Sequence, residues 1–483
     1  MLKYILLVLS LLLITLNSAN SGIKKVPSQY STIQSAIFAS NNGDTVEVSP
    51  GTYFENINIR NKNIVVTSLF YINNDLSYIK STIINGSNPI HPDSASVVRI
   101  ISCDSTTVLQ GFTITEGKGT KWQDEHGAGR YTEGGGILIA FSPCTIRFNI
   151  IKNNHAIDAP TGIASTGGGG IRMGDSNPKI LNNIISDNAA MYGGGIVSNY
   201  TNAIVASNII FNNRVYQAVA GKPVYGGGGI WVNGSGQKIM IINNTVVNNS
   251  CSGVSGPGAN RGGGILLNAA RADVINTIVW GNKQSIGKQN WDINFTNQLR
   301  IFYSNVQDTA IGTGNISVNP GFADSNYLLS NSSQCIDKGD TSVIYNDPSD
   351  PLNPSMAKYP AFGTLRSDIG AYGGKWSSVI LNSVFVDVKK HGSVIPNDFE
   401  LFQNYPNPFN PVTKIKFSIS QTGYVNLKVF DSSGKEVSEL INLRLTPGNY
   451  EYTFNSKNLP SGVYYYRLIS GNYTDSKKMI VLK

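Results

Sequence analysis

The sequence predicts an all-β chain, a long β-solenoid followed by a small β-sandwich, and three observations carry that prediction. Glycine triplets end at Gly136, Gly170, Gly195, Gly229 and Gly264, and each is followed by an isoleucine, Ile137, Ile171, Ile196, Ile230 and Ile265. Downstream of each lies a second marker, an Asn, a short apolar run and a closing Asn: Asn149/Asn154, Asn183/Asn188, Asn208/Asn213, Asn244/Asn249 and Asn276/Asn282. Between the markers, residues alternate with period two and are rich in Ile, Val, Thr and Asn, the pattern of strands. From isoleucine to closing Asn the spacing is 17 residues, or 19 in the repeat of Ile230, whereas from closing Asn to the next isoleucine it varies between 8 and 17. One part of the repeat is fixed and the other takes insertions, a register that a flexible glycine linker would not keep. The shortest period, Ile171 to Ile196, is 25 residues, room for three short strands with tight corners, each turn adding about 4.8 Å of height.

Composition agrees. Of 483 residues 50 are glycine, 14% are charged, 10% aromatic and 41% apolar. Disorder needs more charge and fewer aromatics, collagen needs glycine at every third position, and a coiled coil needs Ala, Glu, Lys and Leu to dominate. The net charge of +8 is diffuse: residues 23–397 carry 27 basic and 23 acidic groups, and the last 86 carry 10 and 7. No basic run interleaves with aromatics, so a nucleic-acid partner is excluded.

The chain opens on Lys3 and the apolar run Tyr4 to Leu16, followed by small polar residues with a cleavage site near Ala19 to Ser21. This reads as a signal peptide over residues 1–21, too short for a spanning helix. No later segment is long and apolar enough to span, so the mature protein is expected outside the cell without a transmembrane segment. Residues 23–375 form the solenoid. Its first part, about 29–42, reads as a capping helix with Ile33, Ala36 and Ile37 on one face, Ser31 and Gln34 as a capping box and Gly43 as the stop. A strand at Thr45–Val48 and a turn at Pro50–Tyr53 follow. A helix laid over the first coil would cover an otherwise adhesive sheet edge. Cys103, Cys144, Cys251 and Cys335 are too few for a disulfide scaffold; export permits pairing, and buried small apolar residues are the favoured reading.

These markers resemble the right-handed parallel β-helix repeat proteins of the pectin-lyase-like superfamily, over roughly residues 26–374. The resemblance implies glycine corners that let coils approach and asparagines stacked in ladders inside the corners. The segments Tyr303-Ser-Asn-Val306, Cys335-Ile-Asp337, Gly339-Asp340 and Asp368-Ile-Gly-Ala-Tyr372 resemble the closing module of exported β-helix proteins, with Gly373 where a glutamate usually stands. Residues 376–397 read as a linker.

From residue 398 to 483 a second domain follows. Asn404-Tyr-Pro-Asn-Pro-Phe-Asn-Pro411, the alternating runs Thr413–Phe417 and Tyr424–Phe430, the turn Asp431–Gly434, Leu459-Pro-Ser-Gly-Val-Tyr-Tyr-Tyr466 and Lys478–Lys483 indicate a small Ig-like β-sandwich. The segment resembles the C-terminal sorting domain of the type IX secretion system. That resemblance implies passage across the outer membrane and release or attachment at the cell surface, with the secretion machinery as partner and Lys477, Lys478 and Lys483 as part of what it reads.

Fold alone does not choose a chemistry. The hydrolase signatures Asn-Thr-Asp, Asp-Asp, Gly-His-Gly and Arg-Ile-Lys are absent. Asp124, Glu125, Glu133, Asp158 and Asp175 are scattered through inserts and form no repeat-to-repeat calcium cluster, so no cofactor or metal is expected. Inserts at 118–133, 155–166, 214–225 and 250–261 all precede the Gly triplets and should emerge at one corner. If the isoleucines point inward, Leu138, Arg172, Val197, Trp231 and Leu266 point outward, and Arg172 and Trp231, two coils apart, are candidates to pair and stack with a sugar chain. Arg130, Lys222 and Arg261 lie in the inserts without a shared register. Two readings follow. One is a non-catalytic surface protein binding a polysaccharide or other surface glycan, with Arg172, Trp231 and Arg261 in contact. The other is a polysaccharide lyase acting on an acidic polymer, with Lys222 or Arg130 as base.

Overall fold

A computed structural model describes residues 21–234, 236–252, 262–284, 291–293, 299–307, 312–351, 353–379, 388–391, 396–421, 423–445, 447–456 and 459–482. The leader assigned to the first 21 residues lies, but for Ser21, outside them.

The body is a parallel β-helix of the expected right-handed kind. Each coil contributes one strand to each of three stacked parallel sheets. Taking one coil as the example, Ile137–Ala140 belongs to a front sheet, Thr145–Arg147 to a base sheet and Ile150–Lys152 to a flank sheet. The isoleucine register holds: Ile137, Ile171, Ile196, Ile230 and Ile265 pair in sequence along the front sheet and point into a dry interior.

The corner between base and flank strands explains the first Asn of each marker. A two-residue corner needs a left-handed residue, supplied by Phe148, Asn182, Ser207 and Asn243, with φ between +51° and +54°. The next residue's N–H points into the coil, where no strand can take it, and an unpaired buried N–H is costly. The carboxamide of the following coil takes it. Asn149 N and Nδ2 both donate to Asn183 Oδ1 at 3.0 and 3.1 Å, and the pattern passes through Asn208 to Asn244. A second ladder runs Asn154–Asn188–Asn213–Asn249–Asn282. One marker is shifted. Asn276 is the left-handed corner residue (φ +51°), and Thr277 fills the rung, its hydroxyl accepting from Asn244 N at 3.2 Å. Between coils the glycine triplets have no room for a side chain: a Cβ on Gly194 would lie 2.6 Å from the Arg214 carbonyl oxygen and 2.7 Å from that of Gly228.

The capping helix spans Ile33–Ala39, shorter than expected, and buries Ile33, Ala36 and Ile37. Its capping box is Thr32 and Ser35, one residue later than Ser31 and Gln34. The shift follows from Glu55, whose carboxylate accepts from Ile33 N and Gln34 N at 2.9 Å each and fixes where the first turn begins. Thr45–Val48 is a strand as expected, but Gly51–Phe54 is a flank-sheet strand rather than only a turn. All four cysteines are buried, Cys103, Cys144 and Cys335 as free thiols.

The closing module is a clasp more than an end plug. Asn315 and Ile316 complete the last coil, and the chain then runs back along the outer face of the flank sheet. There Leu328, Leu329, Cys335, Ile369, Ala371 and Tyr372 pack with Ile184, Ile209, Phe211, Val247 and Ile278. The Asn243 carboxamide donates to the Asp368 carbonyl at 2.8 Å, and that of Asn182 to the Trp376 carbonyl at 2.8 Å. Within the clasp, Asp368 accepts from Asp337 N and Phe362 N at 2.9 and 2.8 Å, while Asp347 accepts from Asp368 N and Gly374 N. Burial pushes both the Asp347 and the Asp368 carboxyls above the ordinary carboxylate range, and the Asp368 charge adds to the rise at Asp347.

The tail is a sandwich of two four-stranded antiparallel sheets that share one core, including Ile415, Phe417, Tyr450, Val425, Leu427, Tyr466 and Leu468. A strand at Val388–His391, within the stretch read as linker, pairs with Gly448–Asn455. The Pro-Asn-Pro segment covers one end of the terminal strand: Phe409 N donates to the Ile480 carbonyl at 3.0 Å and Leu482 N to that of Phe409 at 2.9 Å. The buried Tyr466 hydroxyl accepts from Asn404 N and donates to the Phe402 carbonyl, both at 2.8 Å. Tyr466→Phe is expected to cost the tail about 1–2 kcal/mol, measured by denaturant titration; an unchanged midpoint would remove that role.

Candidate functional site: the front sheet and the groove beside it

The outward column of the front sheet is as expected. Arg99, Leu138, Arg172, Val197, Trp231 and Leu266 follow one another in register. Its surroundings are not. The insert at 118–133 folds into an antiparallel hairpin, Gly119–Gln123 against Arg130–Glu133, which lies over this column. Arg172 is fully buried. Its guanidinium makes a bidentate pair with Glu125, at 2.7 and 2.5 Å, and its Nε donates to Glu133 at 2.9 Å. It lies over Gly174, where a Cβ would collide with it. Glu133 also accepts from the Tyr192 hydroxyl at 2.6 Å, and Glu125 from the Trp122 indole at 2.9 Å. Burial raises the Glu133 pKa, and the Arg172 charge opposes it; at Glu125 burial also acts upward, but the bidentate bond outweighs it and the net shift is downward.

Trp231 is 7% exposed and packs on Tyr192 with ring centroids 4.9 Å apart. As placed, Arg172 fastens the hairpin to the sheet and Trp231 is packed against Tyr192, so both are buried instead of presented to a ligand. The carboxylates read as scattered are therefore mostly gathered: Glu125 and Glu133 on Arg172, and Asp124 and Asp175 at the hairpin tip. Lys222 donates its ammonium to the Ile163 carbonyl and braces one insert against another. Arg130 is exposed, with Nε 3.4 Å from Gln123. Lys477 and Lys478 lie on opposite faces of the terminal strand, Lys477 3.4 Å from Asp475. Arg261 and Lys483 lie outside the described residues.

The half of the front sheet farther from the hairpin's base is less covered, with Asn233 and Asn268 part-exposed and Asn199 buried against the hairpin tip. Here the outward residues Asn199, Asn233 and Asn268 sit in register on successive coils. Their amides link, Asn233 Nδ2 to Asn199 Oδ1 at 2.6 Å and Asn268 Nδ2 to Asn233 Oδ1 at 3.0 Å, and Asn199 donates to Asp124 at 3.1 Å. The hairpin tip forms the wall. Asp124 Oδ1 accepts from His126 N and Ala128 N, a local turn that projects His126. The His126 ring stacks on Tyr200 at 3.6 Å and its Nε2 is 3.0 Å from Asp175 Oδ1. This groove edge was not legible in the sequence, because His126 and Asp175 are 49 residues apart in unmarked positions. Among the described residues no group of three or more His, Cys, Asp or Glu is placed to hold a metal ion, and no helix is long and apolar enough to cross a membrane.

The fold and the C-terminal tail together define a parallel β-helix joined to a sorting domain. Residues 403–482 match the family described as secretion system C-terminal sorting domain, and the protein is accordingly secreted or displayed at the cell surface. No protein of curated function matches the chain. Among solved structures it is similar to the Dettilon tailspike protein, at 11% identity and a TM-score of 0.31, over 90% of this chain and 94% of that one.

Proposed function

We propose that the protein is an extracellular glycan-binding β-helix that holds a polysaccharide along the less covered half of its front sheet. The observation that carries this is the outer row of Asn199, Asn233 and Asn268 beside the stacked His126–Tyr200 pair. Each carboxamide has two N–H donors and an oxygen with two acceptor positions. The part-exposed Asn233 and Asn268 therefore keep hydrogen-bonding capacity for hydroxyls, while buried Asn199 anchors the row to the hairpin. The row repeats with the coil, about 4.8 Å, and runs along the helix axis, which suits a linear polymer. The exposed His126 ring, held flat by its stack on Tyr200, supplies a face for a sugar's apolar side.

A double variant, Asn233→Ala with Tyr200→Ala, should weaken binding to the preferred polymer about tenfold or more, measured by affinity electrophoresis against a panel of soluble polysaccharides. Unchanged retardation on every polymer that binds the parent would overturn the groove assignment.

A second reading, elimination on a uronate polymer, is supported by the His126–Asp175 pair, because an exposed imidazole oriented by a carboxylate can accept a proton. It moves the base from Lys222 and Arg130 to His126. Unsaturated product, followed by its absorbance and abolished in His126→Ala, would establish turnover; no product from any uronate polymer would leave binding alone.

A further inference from the structure

We propose that Arg60 and Arg99 form an oxyanion subsite at the N-terminal end of this same face, which takes the carboxylate or sulfate of an acidic polysaccharide. The inference rests on the groove reading and adds the ligand's charge to it. In the two coils before the glycine triplets begin, Asn58 pairs with Arg99 and Arg60 with Ile101 on adjacent parallel strands. Ile57, Ile59, Val98 and Ile100 fill the interior, so Arg60 and Arg99 share the outer face as diagonal neighbours, close enough for two long side chains to converge on one anion.

Neither arginine has an ion-pair partner among the described residues. The carboxylates of neighbouring segments are engaged elsewhere: Asp93 by Lys121 at 2.6 Å, Glu125 by Arg172, Glu55 by the helix N–H groups, and Asp104 by Thr106 N and Oγ1 at 2.8 and 2.5 Å. Arg99 Nε is buried with no hydrogen-bond partner, and the Asn58 Oδ1 beside it is also unpaired. A buried guanidinium N–H without an acceptor is costly, and burial, reinforced by the Arg60 charge, lowers the Arg99 pKa. Two like charges held together on this outer face, Arg60 exposed and Arg99 part-exposed, are what an incoming oxyanion relieves at the guanidinium ends that reach solvent, while the buried Arg99 Nε stays turned to Asn58. Guanidinium suits the oxyanion because its fork matches a carboxylate or sulfate bidentately. The Trp122 indole, packed over Ile101, Leu138 and Ala140, borders the same spot.

The test uses the full chain and the variants Arg60→Gln, Arg99→Gln and the pair, titrated against polygalacturonate, chondroitin sulfate and dextran at two salt concentrations. The parent should bind at least one acidic polymer more tightly than dextran, with an affinity that falls as salt rises, and each substitution should cost about tenfold on that polymer and nothing on dextran. Preference for polygalacturonate assigns the oxyanion as carboxylate, and preference for chondroitin sulfate brings in sulfate. Because Arg99 loses no protein partner, the variants should melt at the parent's temperature or above it, so lost binding is not lost folding. Equal binding of acidic and neutral polymers, no binding of any acidic polymer, or variants that bind like the parent would each overturn the subsite. If Arg60→Gln/Arg99→Gln loses the acidic polymer while Asn233→Ala/Tyr200→Ala keeps it, the subsite stands and the groove reading fails.

Discussion

Arg172→Met is expected to destabilise the body by about 3–5 kcal/mol at neutral pH, because it strands two buried carboxylates. Glu125 and Glu133 together take three hydrogen bonds from that guanidinium, and both belong to the hairpin and are buried where it meets the sheet. The pH dependence separates this from a simple packing loss. Without Arg172, burial, the largest influence on both acids, is opposed by the weaker hydrogen bonds from Trp122 and Tyr192, so both are expected to sit above their ordinary value. The deficit is therefore full above the raised values and shrinks as pH falls through them, when the acids take up protons. In the parent protein Glu125 runs the other way: its pKa is lowered, so its contribution is present above 4.5 and is lost as pH falls through its folded value. Denaturant titrations of parent and variant across the acid range should converge as pH falls. Parallel curves would show that the carboxylates are not what the substitution exposes. Adding Glu125→Gln and Glu133→Gln to Arg172→Met should recover much of the loss at pH 7 by removing the stranded charges.

The second large effect belongs to the inner ladder. Asn188→Leu removes the acceptor for Asn154 N and Nδ2, both at 3.0 Å, and the donors to the Ile151 carbonyl and Asn213 Oδ1, both at 2.9 Å. Each buried group left unsatisfied costs about 1–3 kcal/mol, so a total of about 4 kcal/mol or more is expected. The loss should be local in origin, since each coil touches only its neighbours. Hydrogen exchange should accelerate most across the coils of Asn154, Asn188 and Asn213. An outer pair provides the control: Asn177 Oδ1 accepts from Asn202 N at 3.2 Å, but both are exposed. Asn177→Ala should change stability by no more than about 0.5 kcal/mol. Equal effects at 177 and 188 would mean that burial is not what gives the ladder its strength.

What was legible in the sequence follows from what repeats. The inward isoleucines and the inner asparagines recur because every coil poses the same steric and hydrogen-bonding problem, and the structure stacks them as the spacing predicts. Asn276 misled because Asn suits both the left-handed corner and the rung beside it, and only coil-to-coil bonding separates the two. The outward column was also legible, but its exposure was not: alternation says which way Arg172 and Trp231 point, and nothing in it says that a hairpin from another coil will lie over them. For the same reason the gathering of Glu125, Glu133, Asp124 and Asp175 was hidden, since inserts of unequal length carry no register. Arg60 and Arg99 precede the first glycine triplet, where no marker announces the coil.

The clasp bears on the order in which the protein comes into being. A chain made from its N-terminus can stack coils as they appear, because each needs only the one before it. The outer stripe of Ile184, Ile209, Phe211, Val247 and Ile278 is different: its cover comes from residues 328–372, and the last contact, Trp376 on Asn182, spans 194 residues. Until that stretch has been synthesised, the nascent body carries an uncovered apolar strip, a surface that invites aggregation. The sorting domain begins within a few dozen residues of the clasp's end. Completion of the body and arrival of its export address therefore fall almost together, so a chain truncated before the clasp lacks both its cover and its destination.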